Sequence, residues 1–222
     1  MATSTVEDYV KRIYMLQQRV AGADALVPLG QVSSVVGVVP GTATTMVKAL
    51  AESGLVRYEP RSGVRLTLAG EKLALHVLRR HRLVELFLVN VLGFDWGEVD
   101  AEAERLEHAI SEKLLERIDA HLGHPAYDPH GDPIPTAAGT IAPRRTVPLA
   151  EAAAGVPLTI AHVTDQDPGF LGYAAQRGLT PGVCVRVEGH DELGDAVSVR
   201  VGGKSLTLGR AAAMKIAVTE QG

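Results

Sequence analysis

The chain has 222 residues and a mass of 23.5 kDa, enough for one large domain or two to three small ones with a buried core. Its single cysteine, Cys184, excludes an intramolecular disulfide, a cysteine-based zinc finger and an iron–sulfur cluster, and points to a reducing, cytoplasmic compartment. Hydrophobic residues make up 46% and aromatics 4%, so the core must come from Val, Leu, Ala and Ile, and no apolar run nears the ~20 residues of a membrane span. The start of the chain lacks the basic-then-apolar design of a secretion signal.

The net charge of −4 hides an asymmetry. Residues 1–75 carry 8 Lys/Arg against 6 Asp/Glu, residues 76–140 carry 6 against 12, and residues 141–222 carry 8 against 8. A mildly basic unit followed by a strongly acidic one suggests a polyanion partner for the first and cations for the second.

In chain order, Val6, Tyr9, Val10, Ile13, Leu16 and Val20 repeat at helical spacing, which predicts a first helix over 5–20 with Ser4 or Thr5 as its cap. A helix over 29–36, a break at Gly37–Gly41 and a helix from about Thr42 to Ser53 make a helix-turn-helix pattern. LVRYE and VRLTL, separated by PRSG, then predict a β-hairpin, so the first 70 residues follow the winged-helix plan. Helical periodicity returns over 70–122, interrupted by GFDWGEVD, and the Pro/Gly-rich stretch 123–157 predicts an ordered loop and a linker. Short alternating segments after Thr159 predict a small all-β barrel, in which Cys184 is expected as a buried, inert thiol. The expected fold is thus mainly α over its N-terminal two-thirds, with a small C-terminal β-barrel. Its expected divisions are a winged helix at 1–75, helices at 76–140, a linker at 141–155 and the barrel at 156–222.

Glu104, Glu107 and His108 stand at i, i+3 and i+4, spacing that puts them on one helix face, and His81 and Glu85 form a second i, i+4 pair. Two carboxylates and an imidazole, with Asp8 on the first helix as a further oxygen donor, suit Mn²⁺ or Fe²⁺ better than a thiolate site does. The same spacing also fits an ordinary solvated helix face. His76, His121, His124, His162 and His190 are read as surface or packing histidines. In the recognition helix, Thr42, Thr44, Thr45 and Lys48 are placed toward DNA while Ala43, Met46, Val47 and Leu50 form the buried stripe; Arg57, Arg61 and Arg65 around the hairpin would meet phosphates.

Taken together, TVEDYVKRIYML, VVPGTATTMVKALAESGLV, RRHRLVELFLVNVLGFDWGEV, AEAERLEHAISEKLLERID and YDPHGDPIP resemble landmark segments of the diphtheria toxin repressor family. LGYAAQRGLTPGVCVRV is similar to that family's SH3-like C-terminal domain. The resemblance implies a metal-dependent repressor that binds a palindromic double-stranded operator as a homodimer and controls metal uptake, with no enzymatic activity, no small-molecule substrate and no membrane role. It also implies a helical metal-binding and dimerisation domain after the winged helix. Iron-type members use a methionine and a cysteine where this chain has Asp8 and Glu104, so the primary set Asp8, His81, Glu104, Glu107 and His108 matches the manganese type. Two-domain manganese members carry a glutamate where this chain has Lys11, and an ammonium there opposes a second cation nearby. For a secondary site the resemblance implies Glu85, Asp128, His130 and Asp167, with Asp128 in place of a cysteine and Asp165 close to Asp167 in sequence. The implied cofactor is Mn²⁺, with Fe²⁺ as the alternative. Competing readings are an iron-responsive member, a metal-independent winged-helix regulator, and a metal-assisted hydrolase lacking any nucleophile motif.

Overall fold

A computed structural model of the protein describes residues 3–220 apart from Ala21 and Ala23. They fall into two compact units, one of described residues within 3–80 together with 135–140 and one of 81–134 together with 141–220.

The first unit opens with α1 (Ser4–Gln17), capped by Thr3, whose side chain accepts from the Val6 N–H. The cap lies ahead of the Ser4 or Thr5 expected, and the helix ends at Gln17, with Gln18 as its C-cap, short of the expected Val20. α2 (Leu29–Val36) ends on Gly37, whose φ of 74° is a left-handed turn that a side chain would strain. α3 (Pro40–Glu52) then begins at Pro40, whose fixed φ and missing N–H suit a first turn, and this moves the start two residues ahead of Thr42. Strands β1 (Val56–Glu59) and β2 (Gly63–Leu66) pair antiparallel, with Arg57 opposite Arg65. Val10, Ile13, Val32, Val47, Leu50 and Val64 form the core beneath them, each removed from water at roughly 1.5–3 kcal/mol. Met46 is only half-buried, unlike the rest of the expected stripe.

α4 (Leu68–Leu92) is one continuous helix, and its part from His81 onward belongs to the second unit. There α5 (Val99–Leu106) and α6 (Glu112–His121) follow, separated by a turn and restarted by Ser111, whose side chain accepts from the Leu114 N–H. Leu83, Leu115, Ile118 and Ile134 pack in one cluster and Val84, Leu88, Val99 and Ala103 in another. Val91, Leu92, Phe94, Leu106 and Leu114 remain exposed.

The same unit holds a six-stranded antiparallel sheet. Its strands are β3 (Val147–Pro148), β4 (Pro157–Val163), β5 (Cys184–Asp191), β6 (Ala196–Val201), β7 (Lys204–Gly209) and β8 (Ile216–Glu220), in spatial order β3-β8-β4-β5-β6-β7. The short helices α7 (Pro168–Gln176) and α8 (Arg210–Ala213) complete it. The sheet begins inside the stretch expected to be linker: β3 pairs with β8, and Leu149 and Ala150 are buried in the sheet's core. Cys184 is exposed rather than buried, since the alternation in β5 sends Val185 and Val187 inward and the thiol outward. Among the described residues no single helix is long and apolar enough to cross a membrane.

Candidate metal centres and nucleic-acid interface

On α3, Gly41, Thr42, Thr45, Lys48 and Ala49 are exposed and Thr44 is half-buried, as is Met46. The Thr44 hydroxyl donates to the Pro40 carbonyl at 2.8 Å and the Thr45 hydroxyl to the Gly41 carbonyl at 3.1 Å. Phosphate oxygens only accept, so with both hydroxyl hydrogens engaged these two threonines offer a duplex their methyls and lone pairs. Arg61 stands at the tip of the hairpin with φ 70°, exposed. Arg57 lies 2.6 Å from Glu59 and Arg65 lies 3.3 Å from Asp24, surface pairs worth little in water and readily exchanged for phosphate.

Asp8 lies on α1 in the first unit, half-buried, and Lys11 one turn further on is buried. The remaining expected ligands all belong to the second unit. Only Glu104 sits in α5 itself; Glu107 caps it, and His108 is in the following turn, so the three do not share one helix. The Glu107 N–H still donates to the Ala103 carbonyl, which keeps its side chain on the α5 face.

The His81 ring joins two sets of acids. Its Nδ1 is 2.7 Å from Glu107 Oε2 and 3.9 Å from Glu104 Oε1, while Nε2 is 3.4 Å from Glu85 Oε1 and 3.3 Å from Asp100 Oδ1. His108 Nε2 is 3.4 Å from Glu107 Oε1. Burial alone would make His81 less basic, but the negative charge of Glu85 and the nearby carboxylates of Asp100 and Glu107 hold its pKa well above the usual histidine value. A proton on this ring therefore stands where carboxylates converge. Asp100 was missed from the sequence, although it precedes Glu104 by four residues and so shares its face of α5.

Glu85, Asp128 and His130 form a second cluster in which candidate ligand atoms lie within 4.8 Å of one another, all three residues buried. Both Glu85 carboxylate oxygens, Asp128 Oδ2 and His130 Nδ1 are buried without a hydrogen bond. Asp128 Oδ1 accepts from the N–H groups of His130 and Asp132, each at 2.9 Å, and Arg82 Nε lies 3.4 Å from Oδ2. Burial, then the charges of Asp132 and Glu85, push the Asp128 carboxyl well above its usual pKa, against the pull of Arg82. Buried polar atoms left without hydrogen bonds cost about 1–3 kcal/mol each, and one candidate donor atom from each of three residues within 4.8 Å of the others fits a divalent cation with oxygen and imidazole donors.

Asp167 is not brought into this group. Its Oδ1 accepts from the Phe170 N–H as the cap of α7, and Asp165 pairs with Lys215 at 2.5 Å. One carboxylate oxygen of Asp167 is thus engaged as a helix cap, a role not assigned to it from the sequence. Of the histidines read as ordinary, His124 bonds Asp119 at 2.8 Å, His190 reaches the Ala152 carbonyl at 3.1 Å, and His121 packs edge-on to Phe87.

Three family models cover nearly the whole chain: the N-terminal DNA-binding domain of iron-dependent repressors over residues 1–64, their metal-binding and dimerisation domain over 67–136, and the FeoA domain over 147–220. The chain is 31% identical over 218 residues to the iron-dependent repressor IdeR of Mycobacterium leprae, covering 92% of each. The chain belongs to the diphtheria toxin repressor family. That is a family of metal-dependent transcriptional repressors, with a DNA-binding winged helix, a helical metal-binding domain and a C-terminal FeoA or SH3-like sheet. Over 118 residues the chain is also 32% identical to the regulator MntR of Lysinibacillus sphaericus, covering 81% of that protein. Among solved structures, a manganese-dependent transcriptional repressor in complex with manganese matches with a TM-score of 0.86 at 39% identity, covering 97% of this chain and 100% of that one. The manganese regulator SloR matches with a TM-score of 0.75 at 31% identity over 97% of this chain and 98% of that one.

Proposed function

We propose that this repressor family member responds to Mn²⁺ and, when loaded, binds a palindromic operator of metal-uptake genes as a homodimer in the cytoplasm. The observation that carries the reading is the donor chemistry. His81, Glu104, Glu107 and His108 in one cluster and Glu85, Asp128 and His130 in the other offer carboxylate oxygen and imidazole nitrogen without a thiolate. Hard oxygen donors accept Mn²⁺, whereas thiolates favour softer, later metals. The structural likeness to manganese-dependent repressors supports the same ion.

Asp8 belongs to the DNA-binding unit and the other primary ligands to the helical unit, so an ion held by both would tie α1 to the acidic helices. Without it the carboxylates repel one another; a dication offsets that repulsion and selects one setting of the recognition helix. In a two-fold dimer, two such helices must meet major grooves about 34 Å apart. The exposed Val91, Leu92, Phe94, Leu106 and Leu114 give the helical unit an apolar surface suited to a second copy. Thr42, Lys48, Arg57, Arg61 and Arg65 supply donors for the duplex, and the methyls of Thr44 and Thr45 supply apolar contact.

Electrophoretic shift of an operator fragment across a series of divalent ions at fixed ionic strength tests this. At least tenfold tighter binding with Mn²⁺ than with chelator is expected, and equal binding under both conditions would end the proposal. A second reading, response to Fe²⁺, is favoured by the full-length likeness to the iron-dependent repressor of M. leprae, and the same series run anaerobically separates the two.

A further inference from the structure

His130 is held on both sides of its ring by one residue. Its Nε2 lies 2.7 Å from the main-chain oxygen of Trp96. A carbonyl oxygen only accepts, so Nε2 carries the hydrogen, and in the neutral ring the lone pair falls on Nδ1. That Nδ1 is buried without a hydrogen bond and points to Glu85, 3.7 Å away. The Trp96 indole stacks on the imidazole, with ring centres 5.6 Å apart and planes at 26°. The same indole packs against the core of the C-terminal sheet.

The main chain around His130 is fastened to that sheet as well. The Val163 N–H of β4 donates to the His130 carbonyl at 3.0 Å. Gly131, with φ 86°, passes so close that a Cβ there would sit 2.1 Å from the Ala161 carbonyl oxygen.

We propose that Trp96 is a positioning residue for the second cation cluster. Its carbonyl selects Nδ1 of His130 as the donor atom, and its indole fixes the plane of the ring while seated in the core of the C-terminal sheet. The sheet thereby shapes a cation site to which its own strands contribute no ligand. Hydrogen bonds to the far nitrogen of a ligating histidine set its tautomer and orientation, and losing such support typically costs 10–100-fold in metal affinity. The proposal rests on the reading of Glu85, Asp128 and His130 as a cation site.

Trp96 is the only tryptophan in the chain, so the emission of the intact protein reports on this stack. In full-length chelated protein labelled with ¹⁵N-histidine, the His130 signals, identified by their loss in His130→Gln, should show hydrogen on Nε2, and added Zn²⁺ should shift Nδ1. In Mn²⁺ titrations, Trp96→Phe should keep both ions within threefold of the unaltered affinity, while Trp96→Ala should weaken the second at least tenfold and leave the first within twofold. The second equivalent of Mn²⁺ should quench Trp96 emission, and Glu85→Gln should abolish that quenching. Hydrogen on Nδ1, zinc on Nε2, or unaltered binding of both ions by Trp96→Ala would overturn the proposal while leaving the cation site standing. One ion per chain, unaffected by Glu85→Gln, would overturn the site and the proposal together. Should Trp96→Ala fail to fold, the spectra of the unaltered chain decide alone.

Discussion

The two acidic clusters of the helical unit contain similar residues in different states of satisfaction. Around His81 the imidazole is hydrogen-bonded to Glu107 and lies near Glu85 and Asp100, so a proton can hold the acids together. Around His130 only Nε2 is turned away, donating to the Trp96 carbonyl, while Nδ1, which faces Glu85, has no hydrogen bond. The first cluster can exchange a proton for a metal, as suits a sensor that must also exist empty. The second keeps buried oxygen and nitrogen atoms without hydrogen bonds, which a bound ion would satisfy.

The comparison can be broken most forcefully at Gly131. Gly131→Ala should cost about 3 kcal/mol, from the left-handed backbone and the clash with Ala161, and should eliminate the second ion while the first still binds. Thermal melting with metal titration reads both effects. Glu85→Gln should change the chelated protein little but remove about 2.7 kcal/mol of stabilisation at Mn²⁺ concentrations 100 times the Kd, roughly 5–10 °C in Tm. An unchanged metal-induced shift in Tm would place the stabilising ion elsewhere.

The sensing role proposed for the first cluster is tested by Glu107→Ala and His108→Ala. Each should abolish the tenfold Mn²⁺ effect on operator affinity, about 1.4 kcal/mol, measured by fluorescence anisotropy. The smallest change is expected far from both clusters. Arg61→Ala should weaken binding to all sequences alike and reduce the salt slope by about one unit, with the affinity for Mn²⁺ unchanged. Selective loss at one operator base would instead make Arg61 a reader of sequence.

Much of this was legible in the residues. Helical spacing located α1, α2 and α4, the Gly37–Gly41 break marked the helix-turn-helix, and alternation after Thr159 marked the sheet. The acids at 104 and 107 and the histidines at 81 and 108 stood out by spacing, and resemblance added Glu85, Asp128 and His130. Less legible were features set by partners distant in sequence. Leu149 and Ala150 looked like linker because the strand that β3 pairs with lies some 70 residues away. Cys184 looked buried because alternation gives a period and not which face is inside.

By itself, then, the sequence determined the elements, their order and the chemical character of the candidate cation ligands, because periodicity, caps and residue type are local properties. Only the tertiary structure decided which acids share an imidazole, that Asp167 caps α7, and that Trp96 sets the ring of His130. The two imidazoles answer to partners 26 and 34 residues away in sequence, which only packing brings together, and burial then fixes how strongly each unpaired atom demands a partner.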